Sequence, residues 1–284
     1  MQLTYHLVNV FTRDGQRLSG NPLCVFEDGS SLDTEAMQAL ARQFNLSETT
    51  FLLPSTQADA RLRIFTPDFE MPFAGHPTLG SAHVLRMLRP GDFVNLEMLA
   101  GNIPVRAQGD SWTLAAKAPV HREIDLSRAK LAAALGLESA DLLWHKGAAR
   151  PLWLNTGSDQ LIVPLRDIEA VRRTAPRADL LAKLKSTQGR QLAYVFASAT
   201  DGKIVSRFLF EAGGAFREDP ATGSACANLG GWYLATRAPL PLQRVIWQGD
   251  QIHRPSTLRL SIDAAQQIQV SGEVCHLARG TLEL

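Results

Sequence analysis

Two stretches, far apart along the chain, restrict its fold more than anything else in it. They are FAGHPTLGSAHVL, residues 73–85, and DPATGSACANL, residues 219–229. Each follows a strand-like run, and each puts small residues and a threonine where a helix should begin. Pro77 fits a first helical turn, where its missing N–H costs nothing. The helix expected near 76–88 carries no charged side chain until Arg86. Its early face, Thr78-Leu79-Gly80-Ser81-Ala82, is small and mostly apolar. A helix at a surface shows a polar face, so this one is expected in the middle of a core. Helix starts of this kind expose backbone N–H groups and carry partial positive charge. Two of them facing each other would make a pocket for an anionic substrate.

The two stretches also belong to a longer repeat. FTPDFEMPFAGHPTLGSA (65–82) and FEAGGAFREDPATGSA (210–225) share a leading Phe, a glycine-bearing turn, a Thr, and Gly-Ser-Ala inside the new helix. Self-similarity at this spacing points to duplication. The expected class is α+β: two similar halves, each a curled sheet of short strands around a central helix.

The rest of the chain supplies those strands. Residues 2–10 read as a strand, followed by turns at Asp14-Gly15 and Gly20-Asn21-Pro22. Leu23–Phe26 reads as a short buried strand. Asp33 can cap a helix whose apolar positions Met37, Leu40, Ala41 and Phe44 follow the 3.6-residue period, with Asn45 as its left-handed stop. Thr49–Leu53 and Arg61–Phe65 read as strands, and more strands are expected from Val94 to Ala116. Pro119–Glu123 is the best boundary, dividing an N-terminal half, 1–118, from a C-terminal half, 119–284. After it comes a second cycle of the same elements. A Ser127-capped helix ends near Leu137, and two strands flank Asn155-Thr156-Gly157. Helical patterns occupy roughly 167–187, and strands cover 192–197 and 204–210. The second central helix is expected near 223–236. Short strands follow at 244–247, 256–261, 268–270 and 281–284, and the last can return to the N-terminal half.

Composition excludes several classes of function. The chain has 284 residues, 45% hydrophobic and 20% charged, with a net charge of +1. Such a balance, with no clustered basic stripe, argues against a nucleic-acid surface. The strongest basic run, Arg172 to Lys185, spaces its charges as a solvated helix face does. No segment reaches the ~18 apolar residues of a membrane helix. The start, MQLTYHLVNVFTRDG, has no basic region followed by a long apolar stretch. Cys24, Cys226 and Cys275 are widely spaced, with no disulfide framework and no metal pair. The expected location is the cytoplasm. Dinucleotide and phosphate-loop glycine patterns, a GxSxG elbow and paired histidines are all absent, so no dinucleotide or phosphate-loop nucleotide site is signalled and a zinc site is unsupported.

Five positions could carry chemistry. Glu48, in NLSETTFL, stands between a helix end and an apolar strand, beside Phe44, Leu46 and Phe51. Desolvation there would raise its pKa toward the range useful for proton transfer; the bland alternative is an exposed or capping glutamate. His76 follows Gly75 at a helix start and could hold a substrate carboxylate or shuttle a proton, or bond a neighbouring backbone group. Asp219, before Pro220, is biased to extended backbone. It could cap the second central helix or accept a hydrogen bond from a substrate. Gly223 and Ser224 could supply an N–H and a hydroxyl to a carboxylate, or Ser224 could cap locally. His83 reads as a core histidine and Cys226 as a buried structural thiol.

Taken in order, GNPLCVF (20–26), NLSETTFL (45–52), FTPDFEMPFAGHPTLGSAHVL (65–85), EDPATGSA (218–225) and HRPS (253–256) resemble the phenazine-biosynthesis PhzF-like family, within the diaminopimelate-epimerase superfamily. The resemblance spans nearly the whole chain. It implies two pseudo-symmetric halves, each a β-barrel-like sheet around a central helix, and a homodimer. The catalytic glutamate of the family falls on Glu48, its Gly-His pair on Gly75 and His76, and its aspartate and Gly-Ser pair on Asp219, Gly223 and Ser224. The implied activity is cofactor-independent isomerisation of a small carboxylate-bearing substrate, in a biosynthetic role. Glu48 removes a proton and returns it elsewhere on the same face, with His76 and Asp219 assisting. The superfamily's amino-acid epimerases use two opposed cysteines at the helix starts. Here those places fall near Ala74 and Asp219-Pro220, so a two-thiol mechanism is not expected. A non-catalytic small-molecule binder on the same fold is the alternative.

Overall fold

A computed structural model describes residues 1–145, 148–181 and 184–284. The chain forms two compact units. One is Met1–Ala115 together with Ser271–Leu284, and the other is Ala116–Val270.

The first unit is built from β1 (Gln2–Val10), β2 (Asn21–Phe26), α1 (Thr34–Phe44), β3 (Glu48–Leu53), β4 (Ala60–Phe65), β5 (Glu70–Met71), α2 (Gly75–Leu88), β6 (Phe93–Met98), β7 (Gly101–Gln108) and β8 (Ser111–Ala115). β1 pairs antiparallel with β2, β2 parallel with β3, and β3 antiparallel with β4. β4 pairs parallel with β6, and β6–β7 and β7–β8 are antiparallel. The last strand of the chain, Ile268–Glu283, pairs with β8 and with β1 and closes the ring. Among the described residues this is a closed barrel of eight strands. Closure leaves the barrel no free edge.

α2 fills that barrel. Every residue from Gly75 to Leu85 is buried, as the lack of a charged face requires. Small residues let the wall approach. A Cβ built on Gly80 would lie 2.6 Å from Leu23 Cδ2 and 3.0 Å from Val10 Cγ2. Outside the barrel, α1 is capped at Asp33, whose side chain accepts from Ala36 N, and is ended by Asn45 in left-handed backbone. Its apolar face covers Phe26, Phe51 and Phe65.

The second unit repeats the plan with β9 (Val120–Arg122), α3 (Arg128–Ala134), β10 (Leu152–Asn155), β11 (Asp159–Pro164), α4 (Ile168–Arg173), α5 (Ala178–Leu181), β12 (Leu192–Ser198), β13 (Ile204–Ala212), β14 (Ala215–Asp219), α6 (Gly223–Ala235), β15 (Leu242–Gln248), β16 (Ser256–Ile262) and the start of β17 (Ile268–Glu283). The pairings β10–β11, β11–β12, β12–β13, β13–β14, β13–β15 and β15–β16 run antiparallel, parallel, antiparallel, antiparallel, parallel and antiparallel. The series β1–β2, β2–β3, β3–β4, β4–β5, β4–β6 and β6–β7 has the same senses in the same order. In both units a short hairpin strand precedes the central helix. α6 is likewise buried along most of its length, and a Cβ on Gly230 would meet Ile268 Cγ2 at 2.8 Å.

Several expectations need correction. Pro119–Glu123, expected as a boundary, lies inside the second unit, which begins at Ala116, and contains β9, paired with β10. The strands expected separately at 268–270 and 281–284 are one sixteen-residue strand, β17. The shared Gly-Ser-Ala letters are not equivalent in three dimensions. They begin α6, at Gly223, but lie more than a turn inside α2, which begins at Gly75. Helix starts, not letters, align the two units. Residues 182 and 183, within the helical stretch expected over 167–187 and the basic run 172–185, lie outside the described residues.

Candidate active site

Glu48 opens β3, and parallel pairing with β2 sets it beside Leu23. Side chains alternate across a strand. Thr50, two residues on, meets Ser81 of α2, their hydroxyls 2.9 Å apart. Glu48 therefore shares the face that looks at the central helix, whereas Phe51 points outward into the α1 cluster with Phe44 and Leu46 packed on it. The apolar neighbours expected from the sequence are on the other side of the strand. What encloses Glu48 is the barrel interior at the start of α2. Its side chain is 14% exposed, and Oε2 lies 3.4 Å from Nε2 of His76, itself 6% exposed.

His76 is the second residue of α2. Burial pushes its ring down to about 3, only partly opposed by the carbonyl of Pro22, so the imidazole is neutral at neutral pH and does not form an ion pair with Glu48. Asn21 Nδ2 lies 3.4 Å from its Nδ1. Asn21 and Pro22 are placed by Gly20, whose positive φ of +80° and approach to Val10 O, 2.5 Å from a built Cβ, admit no side chain. The first turn of α2 is open. Ala74 caps it without a side-chain bond. Thr78 N is the first to reach back, to Ala74 O at 3.3 Å. Pro77 has no N–H, which leaves the amides of Gly75 and His76 without an acceptor in the helix. One end of this barrel thus gathers a carboxylate, a neutral imidazole and two helix-start N–H groups.

In the second unit, Asp219 ends β14 and does not cap α6; that position belongs to Thr222. Pro220 and Ala221 extend the chain and carry Asp219 away from the helix end. Its Oδ2 instead accepts from the Thr222 hydroxyl. Gln248 orients that pair. Its Nε2 donates to the Asp219 carbonyl at 2.8 Å and to Thr222 Oγ1 at 3.0 Å. The Thr222 hydroxyl, already accepting, has its proton for the carboxylate. Gly249 packs the following turn against this corner: a Cβ there would lie 2.6 Å from Pro220 O and 2.2 Å from Arg254 O. The HRPS segment therefore sits beside the α6 start, with Ser256 Oγ donating to Arg254 O at 2.9 Å. Gly223 and Ser224 begin α6, and Ser224 Oγ accepts from Gln160 Nε2 at 2.9 Å; it does not cap the helix.

The structure thus brings Glu48, Gly75 and His76 together in one unit, and Asp219, Gly223 and Ser224 together in the other. Sequence reasoning noted Thr222 only as the threonine at a helix start and missed Asn21, Gln248 and Gln160, of which only Asn21 had a local signal, the turn chemistry of Gly20-Asn21-Pro22. His83 is a core histidine, accepting from Trp112 Nε1 at 3.2 Å. Cys226 is buried in the first turns of α6, and burial pushes its thiol well above the usual range. Ala74 occupies the start of α2, so no thiol lies at either opening. Among the described residues no group of His, Cys, Asp and Glu could hold a metal ion, and no helix is long and apolar enough to cross a membrane.

Comparison with known proteins agrees with this architecture. The family model for phenazine biosynthesis-like proteins, PhzC-PhzF, matches residues 8–280. An uncharacterized isomerase of Pasteurella multocida is 38% identical, over 98% of this chain and 93% of its own. The trans-2,3-dihydro-3-hydroxyanthranilate isomerase of Pseudomonas aeruginosa is 34% identical, over 97% of this chain and 98% of its own. The crystal structure of a Bacillus anthracis PhzF-family phenazine biosynthesis protein superposes with a TM-score of 0.85 over the whole of both chains, at 24% identity. With the repeated barrel-like sheets and their buried central helices, these matches show that the chain belongs to the PhzC-PhzF phenazine biosynthesis-like family.

Proposed function

We propose that the chain is a cofactor-independent isomerase, and that Glu48 moves a proton between two carbons of a small carboxylate-bearing substrate. The single observation that carries this is the contact of Glu48 Oε2 with a buried, neutral His76. A carboxylate largely withdrawn from water, with a neutral ring in contact, is suited to act as a general base toward carbon. In the step, the Glu48 carboxylate takes a proton from a carbon acidified by a neighbouring unsaturated group. The electron pair shifts along the conjugated system. The Glu48 carboxylic acid then returns the proton to the far carbon, and no atom is gained or lost. A neutral His76 holds a polar group of the substrate and passes a proton without a change of charge.

Asp219 accepts from the substrate's amino or hydroxyl group, and Gly75, Gly223 and Ser224 hold its carboxylate. The isomerase names of the relatives support the reaction type, and the name of the Pseudomonas aeruginosa relative makes trans-2,3-dihydro-3-hydroxyanthranilate the first substrate to try. We further propose a cytoplasmic homodimer.

The test is a metabolite screen in deuterated water, with and without protein, read by mass spectrometry and beginning with that compound. An isomerase adds one mass unit to a carbon-bound position as it turns its substrate over. Ligands that bind with neither exchange nor turnover would favour the non-catalytic alternative.

A further inference from the structure

A chain of buried amides runs from the wall of the second unit to Ser224, and the direction of every hydrogen bond in it is set by the backbone. Asn228, fully buried in α6, accepts on Oδ1 from the backbone N–H of Thr156 at 2.9 Å and from the Thr156 hydroxyl at 2.8 Å. Its Nδ2 donates to the carbonyl of Ser158 at 2.8 Å. An N–H can only donate and a carbonyl can only accept, so the Asn228 amide has one orientation. Nδ2 also donates to Gln160 Oε1 at 2.7 Å, which fixes the Gln160 amide in turn. Gln160, 2% exposed, then donates through Nε2 to Ser224 Oγ at 2.9 Å. Ser224 is left with its proton to give.

We propose that Gln160 and Asn228 are positioning residues that make the Ser224 hydroxyl an obligate hydrogen-bond donor, so that the start of α6 selects an anionic carboxylate over a neutral amide. This rests on the reading of Ser224 as a substrate contact, and extends it to how the substrate group is chosen. The Gln160 bond holds the hydroxyl rotor with its proton outward, beside the unsatisfied N–H groups of the first turn. A carboxylate offers two acceptor oxygens to these donors, whereas a carboxamide offers one and turns its NH2 against them. The wall of the barrel thereby reads the charge of a group it never touches.

The probes are anthranilate, a stable aromatic carboxylate, and 2-aminobenzamide, its neutral counterpart, with both dissociation constants measured by calorimetry. A charge-assisted hydrogen bond contributes about 1.5–3 kcal/mol, so the wild type is expected to prefer anthranilate by about 10- to 100-fold. Gln160→Glu puts an acceptor against Ser224 and turns its proton inward. Gln160→Met keeps the volume and removes the donor. Both are expected to cut the preference to about threefold or less, with the amide bound about as well as before. General damage to the fold would weaken both probes alike and leave their ratio. Ser224→Ala should also abolish the preference, and it serves if the Gln160 variants do not fold. A wild type with no preference, or variants that keep it, would overturn the proposal. The result is independent of the base: deuterium exchange persisting in Glu48→Gln would refute the assignment of Glu48 and leave this one standing.

Discussion

The barrels are filled by helices that must be thin, and Gly80 tests this most sharply. On an open helix surface Gly→Ala stabilises, by about 0.8–1.0 kcal/mol of propensity. At Gly80 the new Cβ would lie 2.6 Å from Leu23 Cδ2, 3.0 Å from Val10 Cγ2 and 3.2 Å from Val8 Cγ2, where carbon pairs prefer about 3.5–4.0 Å. Leu23 and Val10 are fully buried and Val8 nearly so, and their strands are held on both sides in the closed barrel. None can swing into solvent. Overpacking costs about 1–3 kcal/mol, and an approach of 2.6 Å to a fully buried wall belongs in its upper part, about 2–3 kcal/mol. Set against the propensity gain, Gly80→Ala should destabilise by about 1–2 kcal/mol. In a chain of this size that lowers the melting temperature by about 2–3 °C. Denaturant unfolding should show a lower midpoint at unchanged slope. Leu23→Val removes the carbon that clashes first, so the double variant should lose less than the sum of the two single changes. If Gly80→Ala is as stable as the wild type or more so, the helix is not sheathed as described and the packing argument fails.

Two further predictions follow from burial. His76 has its folded pKa lowered to about 3, against about 6.5 unfolded. Between those values the unfolded chain binds a proton that the native chain does not, so stability should fall as pH drops from 6.5 toward 3. Denaturant midpoints over that range should have a slope steeper in the wild type than in His76→Gln by up to about 1.4 kcal/mol per pH unit; equal slopes would refute the buried neutral ring. Cys226 is buried with its thiol pushed up. Cys226→Ala should keep turnover within about threefold, and iodoacetamide should leave the native wild type active, because the thiolate is the reactive form. Inactivation in either experiment would revive thiol chemistry.

Much of the fold was legible because it rests on local rules. α1 announces itself by Asp33, its apolar period and Asn45, all in one short stretch. The central helices are legible by the charge they lack. β5, β9 and β14 escaped because they are short and no buried face imposes an alternating pattern; β9 is exposed throughout. β17 is legible only at its two ends, 268–270 and 281–284; between them the alternation fails over Cys275–Leu277, all half-buried, and Gly272 and Gly280 weaken the strand pattern. In the site, Glu48, Gly75, His76, Asp219, Gly223 and Ser224 stand in recognisable motifs. The reasons they sit as they do were not legible. Period-two alternation turned Phe51 away from Glu48. Two residues between Asp219 and Thr222 moved the cap. The amides behind Ser224 come together across 64 to 72 residues of chain, a distance at which no local pattern speaks.

The proposed chemistry turns on the side chain at position 48. The most direct measurement compares wild type, Glu48→Gln and Glu48→Asp in deuterated water with the substrate that the metabolite screen identifies, following label at carbon by NMR and binding by calorimetry. A general base contributes about 10²–10⁴-fold. Glu48→Gln should therefore incorporate no label above background while binding within about fivefold of the wild type, and Glu48→Asp should retain a slow rate. Incorporation by Glu48→Gln at the wild-type rate would contradict the assignment of Glu48 as the proton carrier.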